Sequence, residues 1–128
     1  MIENVSEEEL EAILETLPVE VSFVNKKDEV RYFNKGMKRI FPRPSSVMGK
    51  KVQNCHPPKS LDKVMRIIND FKAGKRDNAE FWIDLRRRKI YIRYFAVRNE
   101  KGEYLGCLEV SQDITDIQKL EGEKRLLD

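Results

Sequence analysis

Three runs in the C-terminal half alternate in polarity with a period of two, and nothing else in the chain restricts its fold as strongly. "AEFWIDL" sets Phe81, Ile83 and Leu85 against Trp82 and Asp84. "KIYIRYFAVR" sets Ile90, Ile92, Tyr94 and Ala96 against Tyr91, Arg93, Phe95 and Val97, and "EYLGCLEVSQD" follows after the turn "NEKG". This period gives each strand one face to bury, and short polar connections make neighbouring strands antiparallel. The first connection is the basic cluster "RRRK", Arg86 to Lys89, read as a solvated hairpin turn.

A second strand pair precedes them. In "VEVSFVNKKDEVRYFN", Val19, Val21 and Phe23 alternate, as do Val30 and Tyr32, around the polar stretch "NKKDE". Helices flank and separate the two groups. In "SEEELEAILETLP", Ser6 and Glu9 have capping-box spacing, Leu10, Ile13, Leu14 and Leu17 form one stripe, and Pro18 stops the helix. "KGMKRIFPRP" reads as a short helical turn stopped at Pro42, and "SSVMGKKVQNCHPP" as irregular. "KSLDKVMRIINDFKAGK" reads as the longest helix, with Ser60 as N-cap, an apolar face of Leu61, Val64, Ile67, Ile68 and Phe71, and Gly74 beyond its end. "ITDIQKLEGEKRLLD" reads as a charged terminal helix. The expected class is α+β: one antiparallel sheet with helices on one face. The divisions are a flanking helix over 1–17, a core over 18–113 and an exit helix over 114–128.

With 128 residues the chain is long enough to bury a core in one domain. Its 25 basic and 22 acidic side chains nearly cancel, which disfavours a nucleic-acid partner. No apolar run is long enough to span a membrane and no signal-peptide pattern opens the chain, so a cytoplasmic location is expected. The two cysteines, Cys55 and Cys107, lack CxxC spacing, so no zinc site is expected. No phosphate-binding glycine loop or oriented nucleophile is present, and the chain reads as a non-enzyme.

The order of elements and three local motifs resemble the PAS domain family. Asp113-Ile114-Thr115 resembles the Asp-Ile-Thr that ends the family's last strand, and "YLGCLEVSQDIT", with Gly106, resembles the segment leading to it. "MGKKVQNCHPPKS" is similar to the family's Gly-(Lys/Arg)…His-Pro segment, although Pro58 and Lys59 stand where an acidic residue is usual. The wording from Val52 to Ser60 is similar to PAS modules attached to hemerythrin-like domains. The resemblance implies a sheet of about five antiparallel strands and a sensory or protein-interaction role within a longer signalling protein. It further implies self-association as a homodimer through the N-terminal helix. A structural dimerisation module with a filled core is the alternative.

Candidate sites follow from that resemblance. Ile67, Ile68, Phe71, Phe81, Ile83, Ile92, Tyr94, Leu108 and Val110 are candidates to line a small apolar ligand pocket, or else simply to pack as core. Asp113, as cap of the exit helix, and Thr115 are assigned to signal output. His56, the single histidine, and Cys55 are candidate haem ligands. The plainer reading has His56 bonded to a backbone carbonyl at a proline-stiffened corner. Flavin photochemistry is not expected, because Asn54-Cys55 is followed by His-Pro-Pro and not by Arg-Phe-Leu-Gln.

Overall fold

The computed structural model describes residues 1–54 and 56–127. Helix α1 (Glu7–Thr16) leads into strands β1 (Glu20–Asn25) and β2 (Val30–Phe33). A long connection with three short 3-10 turns then reaches α2 (Pro58–Lys72), followed by β3 (Asn78–Leu85), β4 (Arg88–Arg98) and β5 (Tyr104–Asp113). The five strands form one antiparallel sheet in the order β2-β1-β5-β4-β3. The two strand groups identified in the sequence therefore meet at β1 and β5, the first and last strands of the chain.

Local chemistry fixes the helix ends. The Ser6 hydroxyl accepts from the Glu9 N–H at 3.0 Å, and the Glu9 carboxylate accepts from the Ser6 N–H at the same distance. This is the capping box expected from the sequence. Helix α2 begins earlier than expected: Pro57 is its N-cap and Pro58 its first residue, in place of a Ser60 cap. Proline suits that position, since its missing N–H would have had no intrahelical acceptor. At the other end Gly74 takes a φ of +72°; its N–H reaches Phe71 O, and the Lys75 N–H reaches Asp70 O. Those are the two bonds of a Schellman motif.

The expected exit helix over 114–128 does not form. Among the described residues this segment contains only a 3-10 turn at Ile117–Lys119, and Leu120, Leu126 and Leu127 are exposed. A segment this short is marginal as a helix unless it packs an apolar face, and Gly122 weakens it further.

Register divides the sheet's faces. Tyr94 lies opposite Glu109, Ile92 opposite Ser111 and Ala96 opposite Cys107, so these share the inner face beneath α2. Leu108 and Val110 pair with Phe95 and Arg93 on the outer face, which corrects their assignment to the pocket. At Gly106 the strands come closest: an added Cβ would lie 2.2 Å from the Val24 carbonyl oxygen. The core is built from Phe71, Ile68 and Val64 of α2 against Val24, Val30, Ile90 and Ile92, with Val52 beside them.

A buried charge network holds the β2–α2 connection to β1. Arg39 and Glu20 meet at 3.6 Å with side chains only 1% and 2% exposed. Glu20 accepts from the N–H groups of Ile40 (2.6 Å) and Phe41 (3.2 Å). Arg39 donates to the carbonyls of Phe41, Val21 and Asn34 and to the Ser22 hydroxyl. Asn34 completes the knot, accepting from the Val21 N–H and donating to the carbonyls of Leu14 and Val19. Burial pulls the Arg39 guanidinium below its ordinary value, and Glu20 opposes that pull.

Removing one partner of such a pair leaves the other charge buried and uncompensated. Arg39→Met is therefore expected to cost about 3–5 kcal/mol in urea unfolding. The Glu20→Gln/Arg39→Met double variant should lose less than the sum of the single losses. A single Arg39→Met variant within about 1 kcal/mol of wild type would show that the pair is not the anchor.

Candidate functional site

Between the inner face of the sheet and one edge of α2 lies a cavity of about 770 Å³. Strands β3, β4 and β5 contribute Phe81, Ile83, Ile92, Tyr94 and Glu109. Helix α2 contributes Ser60, Lys63, Val64 and Ile67, at i, i+3, i+4 and i+7 on one helical face. The connections add Phe41, Pro42, Arg43, His56 and Pro57. The lining is chiefly apolar, with a few polar groups, as expected of a small-molecule site. Phe81 and Tyr94 meet edge to face, 5.7 Å between ring centres.

Five of the nine candidate pocket residues come together here: Ile67, Phe81, Ile83, Ile92 and Tyr94. Ile68 and Phe71 belong instead to the close-packed core, on the helical stripe next to the cavity-facing one. Thus α2 serves core and cavity with adjacent stripes that share Val64. Cys107 is a free, buried thiol in the core. Burial, with smaller contributions from Glu109 and Asp28, pushes it up to about 12, so it stays protonated.

His56 lines the cavity, and its Nδ1 lies 3.2 Å from the Val52 carbonyl oxygen. A carbonyl only accepts, so Nδ1 is the donor in this bond. The plainer expectation, a bond to a backbone carbonyl, is met. Cys55, the other candidate, lies outside the described residues.

Sequence reasoning missed the site's charged pair, Arg43 and Glu109, which meet at 3.6 Å. Arg43 stands between Pro42 and Pro44, with no periodic signal around it. Glu109 stands between Leu108 and Val110; Val110 is buried, but on the sheet face away from the cavity. The available signal was the register of β5 against β4, which β5 alone does not contain.

The end of β5 is clamped to the start of β4. Asp113 accepts from Arg88 Nε at 2.7 Å and from the Thr115 N–H at 3.0 Å. Thr115 Oγ1 accepts from the Lys89 N–H at 2.7 Å, and the Ile114 N–H donates to the Lys89 carbonyl. Asp113 is therefore not the cap of an exit helix. It closes an Asx-type turn and pairs with Arg88, which also reaches Asp116 at 3.3 Å.

The bonds from Arg88 and Thr115 hold the Asp113 carboxyl well below the usual carboxylate range, at about 2. A lowered folded-state value stabilises above the unfolded value and is lost as pH falls through the folded one. Native stability should therefore decline between roughly pH 4 and pH 2 in part through this group. Asp113→Asn should flatten the decline when unfolding is followed by circular dichroism across that range. Identical slopes for variant and wild type would remove the clamp from the acid response.

A sequence model of the PAS domain matches residues 10–115. Among solved structures, a C-terminal domain from Streptococcus mutans is 38% identical, with a TM-score of 0.85 over 91% of each chain. The PAS domain of BvgS from Bordetella pertussis is 17% identical, with a TM-score of 0.65 over 84% of this chain and 85% of that one. A sensory box sensor histidine kinase from Vibrio cholerae is 16% identical, with a TM-score of 0.59 over 83% of this chain and 90% of that one. No curated protein sequence matches the chain.

Proposed function

The chain belongs to the PAS domain family, and from that premise we propose that it is a sensory module whose cavity takes up a small, largely apolar molecule. The observation that carries this reading is the cavity itself, about 770 Å³ between α2 and the sheet and lined by Ile67, Phe81, Ile83, Ile92 and Tyr94. That volume suits a drug-sized ligand. The name of the Vibrio cholerae neighbour, a sensor histidine kinase, is consistent with the role.

The route to an output runs along two strands. Ile92, Tyr94 and Glu109 touch the cavity, and the same strands β4 and β5 end at the clamp of Arg88 and Lys89 with Asp113 and Thr115. A ligand that fits one strand arrangement better than another shifts the population between them, and the clamp carries that shift out of the domain.

Extraction and mass spectrometry of wild type and Ile67→Trp test the proposal. The larger side chain fills the cavity, so a small molecule recovered from wild type should be lost from the folded variant. Equal recovery from both, or none from either, would overturn the cavity as ligand site. Haem is a second reading, favoured by the place of His56 in the cavity wall. His56 would hold its iron, and haem would supply binding of a gas or an electron. In the same samples, a Soret band lost in His56→Ala identifies haem; no Soret band in wild type excludes it.

We also propose that two copies associate through α1. Leu10, Leu14 and Leu17 are half-buried by the chain's own fold, whereas Ile13 on the same helix remains 51% exposed. Ile13→Glu should shift sedimentation from dimer to folded monomer across a concentration series. A monomeric wild type, or a variant that stays dimeric, would remove α1 from the interface.

A further inference from the structure

We infer that the ligand of this cavity is a neutral molecule that presents an amide-type edge, a C=O beside an N–H, to Arg43 and Glu109. The inference rests on the reading of the cavity as a ligand site and names the chemistry that site selects. Its basis is a contrast between two ion pairs of equal length in the same fold.

Glu20 and Arg39 meet at 3.6 Å, and their remaining donors and acceptors are filled by backbone groups and Ser22. Arg43 and Glu109 also meet at 3.6 Å, too far for a hydrogen bond, with side chains 14% and 18% exposed. Here nothing fills the rest. Arg43 Nε is buried without a hydrogen-bond partner, and among the described residues neither head group makes a hydrogen bond. A buried donor left without a bond is costly, and Arg43 Nε is such a donor, so the pair is poised to take partners from the cavity it lines.

The partner's chemistry follows from the two charges. A carboxylate satisfies Arg43 but places a like charge beside Glu109, and an ammonium satisfies Glu109 but opposes Arg43. A carbonyl on Arg43 with a neighbouring N–H on Glu109 satisfies both and adds no net charge to a low-dielectric site. Phe81, Ile83 and Ile67 then cover an apolar, preferably aromatic, body. Lys63 at the α2 wall is the feature that favours an anion instead, and the test separates the two cases.

Four probes with one apolar body decide the matter: 3-phenylpropanamide, 3-phenylpropanoate, 3-phenylpropylamine and propylbenzene, titrated into uniformly 15N-labelled protein by NMR. The amide should bind about tenfold more tightly than the carboxylate or the amine. In Arg43→Met/Glu109→Met, which removes both charges together, that preference should vanish while propylbenzene still binds and the spectrum stays dispersed. A carboxylate that binds best overturns the inference in favour of an anion site. An amide preference that survives in the folded double variant, or is absent in wild type, overturns it too. If no probe shifts the cavity resonances, propylbenzene included, the ligand-site reading fails along with it.

Discussion

The ion pair between Glu20 and Arg39 is the constraint on which the functional half of the molecule depends. It sits under the connection between β2 and α2, a stretch with three short 3-10 turns and no strand or α-helix of its own. The later part of this stretch bonds backbone to backbone with β2 and the preceding turn, through Gly49, Lys50 and Val52. Its earlier part is held by Glu20, which accepts from Ile40 and Phe41, and by Arg39, which binds carbonyls on both β1 and the connection itself. The residues immediately after, Phe41, Pro42 and Arg43, are thereby set as one wall of the cavity. A hydrophobic pair of the same volume could stabilise as well, but it would not supply the directional bonds that set the chain's path after β2.

That wall explains why the space under α2 is only partly filled. Toward the β1 end of the sheet, Ile68 and Phe71 join Val24 and Val30 in the buried core. Toward β3 the same helix presents Ser60, Lys63 and Ile67, and the facing strands offer Phe81 and Ile83, which remain partly exposed. Core packing and cavity lining thus fall to two neighbouring stripes of one helix. The packed stripe contributes about 1.5–3 kcal/mol for each large side chain it buries, which lets the other stripe stay open. Strands β4 and β5 run without an intervening loop from residues that line the cavity to the clamp at Asp113.

The elements were largely legible in the sequence because their signals are local. Period-two alternation marked β3, β4 and β5; the Ser6–Glu9 spacing marked the start of α1; and Gly74 marked the end of α2. Two elements were misjudged where local and tertiary signals part. Pro58 opens α2 because proline fits a first turn, although Ser60 has the better side chain for a cap. The segment 114–128 carries helix-forming residues, yet among its described residues no surface covers Ile117, Leu120 or Leu126, and it stays unwound beyond one 3-10 turn.

By itself, the sequence determined the strands, helices α1 and α2, and part of the cavity's apolar wall, because periodicity and capping act between residues a few positions apart. Only the tertiary structure decided which face of β5 is inner. Alternation shows that Leu108 and Val110 share a face; pairing with Phe95 and Arg93 puts that face outside and turns Glu109 toward Tyr94. The same long-range pairing brought Arg43 to Glu109 across 66 positions, and Glu20 to Arg39 across the β1–β2 hairpin. Charge pairs of this kind leave no periodic trace, since each member obeys only the geometry of a partner that folding alone brings near.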